Sequence, residues 1–555
     1  MTLVLLILVA GLFFFLHARA AARMARIEAR VAALQEELLA FRTAGQLNEG
    51  EGAPLWPEPP QVTAPAPETL GGLFERLIGG RLLIWIGGIA LAAAGIFLIR
   101  HSIALVPPEA RMIAAALFGL ALIAAGEYAR GGRLLADDPR IGQALVGAGI
   151  AILYAATYGS YLLFSLIGSG TASALMLLIT AAALALSLRH GPPTALMGLV
   201  GGFLTPLLVG DPTAGALPVL ATLALLDAAI FAIAWRRGWT WLAAAAVAAS
   251  FAWTGYFVLE PPRDALAAGI FAAFLGIAAS LPRPREGRQL SLMQPAILGL
   301  VELAVLVARP DVGISAWLLF GALAAATLPL SMLRPDHRPA PPAALLLALV
   351  LIAIKAAGGE DPLLPWAALA TTLLFAGGLG AFATREQPLR ALTACAALAG
   401  PLLIVRQLQP ELLGRLQWGG LALLLSLGAL GLLWLLRARS RDKAAPGIGS
   451  FGAAATAALL LAVAAYDLAT RDFVSGAWLA AAMALLLAGV RMPDKALRLS
   501  GLGLLTATIL KVFLIDAAEL EGVLRILSFL ALGLALIGIG KLYTRVLSAE
   551  SGRSG

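Results

Sequence analysis

What constrains this chain most is a rhythm: apolar stretches of about 16 to 24 residues alternate with short runs that carry almost all of its charge. Wound as helix, each stretch is about 24–36 Å long, enough to cross roughly 30 Å of hydrocarbon. Hydrophobic residues make up 60% of the 555 and charged residues only 13%, before 59 glycines are counted. A water-soluble core cannot hide that excess, so lipid is the solvent for most of the chain. The reading is an all-α fold, a polytopic transmembrane helical bundle of about nineteen spans built of repeated helical hairpins.

The chain divides by composition. Residues 1–16 are apolar but lack a basic leader and a small-residue cleavage site, which reads as a retained N-terminal membrane anchor. Over residues 17–45, Met24, Ile27, Val31, Leu34, Leu38 and Phe41 recur at alternating three- and four-residue steps. That spacing fits a cytoplasmic coiled-coil seam or an amphipathic helix lying on the membrane or on its own protein. A Pro-rich linker follows at 46–70, then the polytopic body at 71–545 and a disordered cytoplasmic tail at 546–555.

Loop charge sets the expected orientation. One set of loops holds Arg130, Arg133 and Arg140; Arg236 and Arg237; Arg283, Arg285 and Arg288; Arg437, Arg439, Arg441 and Lys443; and Arg491, Lys495 and Arg498. With the linker, smaller loops and tail, that side carries about 30 of the 40 Lys and Arg residues. Opposite loops are basic-poor and acidic, as at Asp211, at Glu360 and Asp361, and from Asp516 to Glu521. The positive-inside rule then predicts a multi-pass protein of the bacterial inner membrane, N-terminus outside and C-terminus cytoplasmic. The same register closes each hairpin with a short external loop.

The net charge of +8 is not a nucleic-acid footprint, because the arginines sit at segment ends and form no basic surface interleaved with aromatics. A single Cys395 precludes an intrachain disulfide, and four scattered histidines show no ligand spacing, so no metal and no cofactor is expected. The expected partners are membrane lipid and, through the 24–41 seam, a second copy or another protein. Two stretches look duplicated. Arg111, Gly119, Gly126 and Tyr128 stand in FGLALIAAGEY and its approach much as Arg525, Gly533, Gly540 and Tyr543 stand in LGLALIGIGKLY.

Three stretches carry a family resemblance: IGQALVGAGIAILYAATYGSYLLF at 141–164, ALMGLVGGFLTPLLVG at 195–210, and LRLSGLGLLTATILKVFLIDAAELEGVLRILSFLALGLALIGIGKLY at 497–543. They are similar to the DUF2339 family of predicted bacterial membrane proteins, from about Gly80 to the C-terminus. The resemblance implies a many-helix membrane protein of unassigned activity and adds no chemistry.

Candidate sites come from the polar residues that the rhythm does not explain. Asp227 lies nine residues before Arg236, about 13 Å inside the helix end, too deep for a short carboxylate to snorkel. Glu302, seven residues before Arg309, poses the same problem from the other side. At mid-membrane an acid costs about 2.5–3.5 kcal/mol, so each should be neutral or paired, and the two are candidates for proton coupling or cation binding. Tyr154, Tyr158 and Tyr161 recur at helical spacing and should face protein or a water-filled cavity, with Tyr161 equally suited to an interfacial anchor. Gly198, Gly201 and Gly202 precede Thr205 and Pro206 in a short span. That pattern means either a broken helix exposing backbone to a solute or close packing with a kink. Glu109 and Asp516 are the weak catalytic candidates, and Lys511, Asp516 and Arg525 form an ion-pair candidate near the external boundary.

No phosphate-binding loop or nucleophile motif is present. Three functions stay open: transport or flipping of an envelope solute or lipid-linked glycan, a membrane scaffold of an envelope complex, and a membrane-embedded glycosyl- or acyl-transferase, with a non-enzyme favoured. Reporter fusions at successive loops should alternate in sidedness, with the loops at Arg236 and Arg439 cytoplasmic; two consecutive loops on the same side would overturn the orientation.

Overall fold

The computed structural model of the chain describes residues 83–101, 107–131, 139–210, 215–281, 295–359, 361–383, 387–439, 447–470, 473–492 and 494–512. The expected anchor at 1–16, the 17–45 seam, the linker at 46–70, the final span and the tail at 546–555 lie outside the described residues. Among the described residues there is helix and no strand. In order the helices are α1 (Leu83–His101), α2 (Pro108–Gly131), α3 (Pro139–Tyr158), α4 (Ser169–His190), α5 (Pro192–Val209), α6 (Ala216–Arg237), α7 (Thr240–Val258), α8 (Pro262–Ala278) and α9 (Pro295–Ala308). They continue with α10 (Ile314–Leu333), α11 (Ala340–Ala357), α12 (Leu364–Thr372), α13 (Gly378–Gly380), α14 (Pro388–Leu408), α15 (Arg415–Ala438), α16 (Ile448–Leu468), α17 (Val474–Arg491) and α18 (Lys495–Lys511).

Twelve of the described helical segments are long and apolar enough to cross a membrane, and two shorter apolar ones, Pro295–Ala308 and Leu364–Gly380, accompany them. The multi-pass helical architecture is therefore observed, while the full count of about nineteen is not reached among the described residues. Proline opens several helices, including α5, α8, α11 and α14, where its missing N–H is one that the first turn leaves unused anyway. Gly238 closes α6 at φ 71°, a left-handed cap next to Arg236 and Arg237. Outward surfaces are apolar: Leu207, Leu225 and Leu333 are 70%, 73% and 73% exposed. Near Leu225 on the same helix, Asp227 is buried, an inversion of the soluble pattern that suits a hydrocarbon solvent.

The hairpin register differs from the expected one. The four most extensively packed neighbours, α2 on α3, α15 on α16, α17 on α18 and α4 on α5, are each joined by a basic loop. The reason is visible between α2 and α3. A Cβ on Gly149 would lie 2.5 Å from the Gly119 carbonyl, and one on Gly126 would lie 3.0 Å from that of Gly142. Two backbones thus meet at two glycine pairs, an approach that only side-chain-free positions permit. Between α2 and α3, small residues choose the neighbour. Of the two stretches that look duplicated, the one around Gly533 and Gly540 lies outside the described residues.

A second regularity concerns helix C-termini, whose last carbonyls have no partner within the helix. On the basic-loop side Arg237, at the end of α6, donates to Leu188 O at the end of α4, and Arg334, after α10, donates to Leu281 O after α8. Arg439, after α15, reaches Ala381 O at 2.5 Å, just past α13. On the opposite side Arg309, after α9, reaches Val258 O and Glu260 O at 2.5 and 2.6 Å, and Gln409, after α14, reaches Ala356 O and Gly359 O at 3.2 and 2.6 Å. Each clamp joins a helix end to the next parallel helix end, 49 to 58 residues on. A cation placed there also complements the helix dipole. Asp311 anchors Arg309 at 3.0 and 2.5 Å, and those hydrogen bonds hold the Asp311 carboxyl below the usual aspartate range.

Arg309→Met should therefore lower the stability of the detergent-solubilised protein by about 1–3 kcal/mol, since it leaves the carbonyl of buried Val258 without its donor. Arg309→Lys should recover only part of the loss. Thermal unfolding unchanged in both variants would refute the clamp.

Candidate functional site

Helix α7 carries Ser250, Trp253 and Thr254, and the spacing puts all three on one face. Each reaches a different neighbour. The Ser250 hydroxyl donates to Asp227 Oδ2 of α6 at 2.7 Å, and Thr254 Oγ1 stands 2.6 Å from Glu302 Oε2 of α9. The Trp253 indole N–H donates to the Phe203 carbonyl of α5 at 3.0 Å. Thr254 Oγ1 also lies 3.1 Å from Ser250 O and 3.2 Å from Phe251 O. Ser250 and Thr254 are fully buried and Asp227 is 4% exposed, while Glu302 is half-buried. Among the described residues, buried Asp227 Oδ1 has no hydrogen-bond partner.

The two acids are thus joined across α7 into one polar seam, Asp227, Ser250, Thr254, Glu302. Their contact points on α7 are one turn apart, about 6 Å along the axis. A carboxylate near mid-membrane is stabilised only by protein groups, and here hydroxyls from a shared helix provide them.

The expected tyrosine face also meets protein. Tyr154, Tyr158 and Tyr161 pack against the cluster of Ala172 and Met176 on α4 and Val209 on α5. Tyr161 keeps this face although the chain passes from α3 into a π-helical turn over Gly159–Leu163. Tyr154 Oη lies 2.7 Å from Thr180 Oγ1. Because the Thr180 hydroxyl donates to Met176 O at 2.8 Å, the tyrosine is the donor.

The alternative of a broken helix at the glycine and proline run is not realised, since α5 continues through Pro206 to Val209. Its glycines are packing sites: a Cβ on Gly201 would lie 2.2 Å from the Tyr154 ring, one on Gly202 2.8 Å from Leu226, and one on Gly198 3.1 Å from Leu184. Proline disturbs the carbonyls one turn earlier. On either side of the Gly202 carbonyl that Pro206 leaves without its helical donor, Thr205 Oγ1 donates to Gly201 O at 2.8 Å and the Trp253 indole donates to Phe203 O. The GGFLTP string thereby docks α5 on both the tyrosine face and the seam helix.

The remaining sequence candidates are placed elsewhere or not described. Glu109 is exposed in the first turn of α2, where an acid complements the helix N-terminus. Lys511 Nζ is 2.8 Å from Ser475 Oγ of α17, and Asp516 and Arg525 lie outside the described residues. Sequence reasoning passed over Ser250, Thr254 and Trp253, whose one signal was an S-x-x-W-T spacing within an apolar run. It also passed over the Arg406 to Asp467 pair, bidentate at 2.7 and 2.6 Å with Arg406 5.5 Å from the Tyr466 ring centre, because both residues read as ordinary span-end charges.

Leucines facing outward and carboxyls, hydroxyls and tyrosines facing inward define a multi-pass helical membrane protein. Within that class, the profile of a family described as predicted membrane protein (DUF2339) matches residues 79–474 and 467–546, and the chain belongs to that family. No curated protein and no solved structure matches it.

Gly201→Ala should force Tyr154 off Thr180 and lower stability in detergent by about 1–3 kcal/mol, the usual range for overpacking. Gly431→Ala, with nothing within 4 Å of its added carbon, should leave thermal unfolding unchanged or slightly raised. Equal behaviour of the two variants would contradict the Tyr154 contact.

Proposed function

We propose that the protein is a secondary transporter of the bacterial inner membrane, driven by a cation gradient through the Asp227 to Glu302 seam. Its cargo would be an envelope solute or a lipid-linked glycan. The observation that supports this is the meeting of two carboxyls from separate helices on the hydroxyls of a third, with one buried Asp227 oxygen unpartnered among the described residues. Ionisable groups at such depth are expensive, and ion and proton pathways are what they commonly serve. A scaffold needs no such group, and the 24–41 seam on which a scaffold reading rests lies outside the described residues. A transferase would rest on Glu109 and Asp516, of which the first has an ordinary helix-end placement.

On this reading the C-terminus is cytoplasmic, which the positive-inside rule supports. Clamps recurring at intervals of about fifty residues support growth of the bundle by addition of helical hairpins.

Full-length protein reconstituted in sealed vesicles, supplied with a small-molecule and lipid extract of cell envelopes, should dissipate an imposed proton or sodium gradient. Asp227→Asn and Glu302→Gln should each reduce that flux at least tenfold with incorporation and thermal stability unchanged. Wild-type flux no faster than that of protein-free vesicles, or full flux in both variants, removes the reading.

A further inference from the structure

The seam contains a hydroxyl with two alternative uses. Thr254 Oγ1 lies 2.6 Å from Glu302 Oε2, yet 3.1 and 3.2 Å from the carbonyls of Ser250 and Phe251 on its own helix. A threonine hydroxyl has one hydrogen to give and lone pairs to receive. If Glu302 is ionised, that hydrogen goes to Oε2. If Glu302 is protonated, its own O–H is given to Thr254 Oγ1, and the threonine hydrogen turns to Ser250 O or Phe251 O. Neither state leaves the 0% exposed Thr254 hydroxyl without a bond.

We propose, resting on the transporter reading above, that the coupling ion is the proton, that Glu302 carries it, and that Thr254 is the two-position switch that accommodates it. The proton is taken from and returned to the aqueous phase; binding forms one O–H bond at Glu302 and breaks none in the protein. The second position bonds to the carbonyl of Ser250, the residue whose hydroxyl holds Asp227. A change of charge at Glu302 is thereby passed one turn along α7 to the Asp227 contact.

Among the described residues the surroundings isolate this pair. Helices α7, α8, α10 and α11 pack against α9. Their titratable or charged residues are Tyr256 on α7, Arg263 and Asp264 on α8, and Lys355 on α11, with none on α10. Tyr256 bonds to Glu260, Asp264 Oδ1 accepts the Ala216 N–H at 2.9 Å, Lys355 lies 3.8 Å from Asp361, and Arg263 is exposed. Arg309, at the end of α9, is held by Asp311. Among the described residues the hydrogen bond to Glu302 comes from Thr254. The other carboxyl oxygen, Oε1, faces Gly255, where even an added Cβ would stand 3.4 Å away.

The test is an infrared pH titration of the full-length protein in lipid, following the C=O stretch of protonated carboxyl groups. A titrating band should be present in the wild type and lost in Glu302→Gln. Thr254→Val should shift its midpoint by about one pH unit, because the ionised and neutral forms lose hydrogen bonds of unequal strength. Thr254→Ser should restore the wild-type midpoint. Sodium at fixed pH should leave the band unchanged. A band indifferent to Glu302→Gln, an unshifted Thr254→Val titration, or loss of the band on adding sodium would each overturn the proposal. A titrating Glu302 with the expected Thr254 shift, in protein that moves no gradient, would sink the transporter reading and leave the switch standing.

Discussion

Hydrocarbon offers no hydrogen bonds, and a polar group left unpartnered in it costs several kcal/mol. In this protein the constraint operates at three scales. Along each span it makes helix the only workable backbone for a crossing segment. At helix ends it leaves carbonyls that the next parallel helix caps, through Arg237, Arg309, Arg334, Arg439 and Gln409. Inside the bundle it gathers Asp227, Glu302 and the α7 hydroxyls into one seam. The loop arginines are therefore structural ties as well as charges.

Helix α5 shows how packing and the seam depend on each other. Gly201 admits the Tyr154 ring, Gly202 admits Leu226 one residue before Asp227, and the backbone near Pro206 takes a hydrogen bond from Trp253 between Ser250 and Thr254. A shift of α5 would be felt at the tyrosine face and at α7 together. In a bundle with this density of small residues, such contacts have few intermediate arrangements, the condition under which a local change of charge moves an element rather than being absorbed.

Part of the site was legible from residue order. Carboxylates nine and seven residues from the nearest helix-end arginine cannot reach water, so Asp227 and Glu302 stood out without a structure. Tyr154, Tyr158 and Tyr161 shared a face by helical period alone. Their partners were not legible: Ser250 and Thr254 lie 23 and 48 residues from the acids they meet, and a serine or threonine in an apolar run reads as an ordinary hydroxyl bonded to its own helix. The glycine and proline run in α5 fitted both a break and a close contact, and only the neighbouring Tyr154 and Trp253 distinguish them.

Residue order by itself determined that the chain is helical, that it crosses lipid many times, and that certain acids and tyrosines must turn inward. These follow from solvent and helical period, which act locally on each segment. Only the tertiary structure decided which helix lies beside which, that the four tightest pairs are closed by basic loops, and that two distant acids meet on α7. Lipid is as apolar as a leucine surface, so hydrophobicity does not choose between neighbours; the choice falls to glycine contacts and long-range hydrogen bonds that no local pattern encodes.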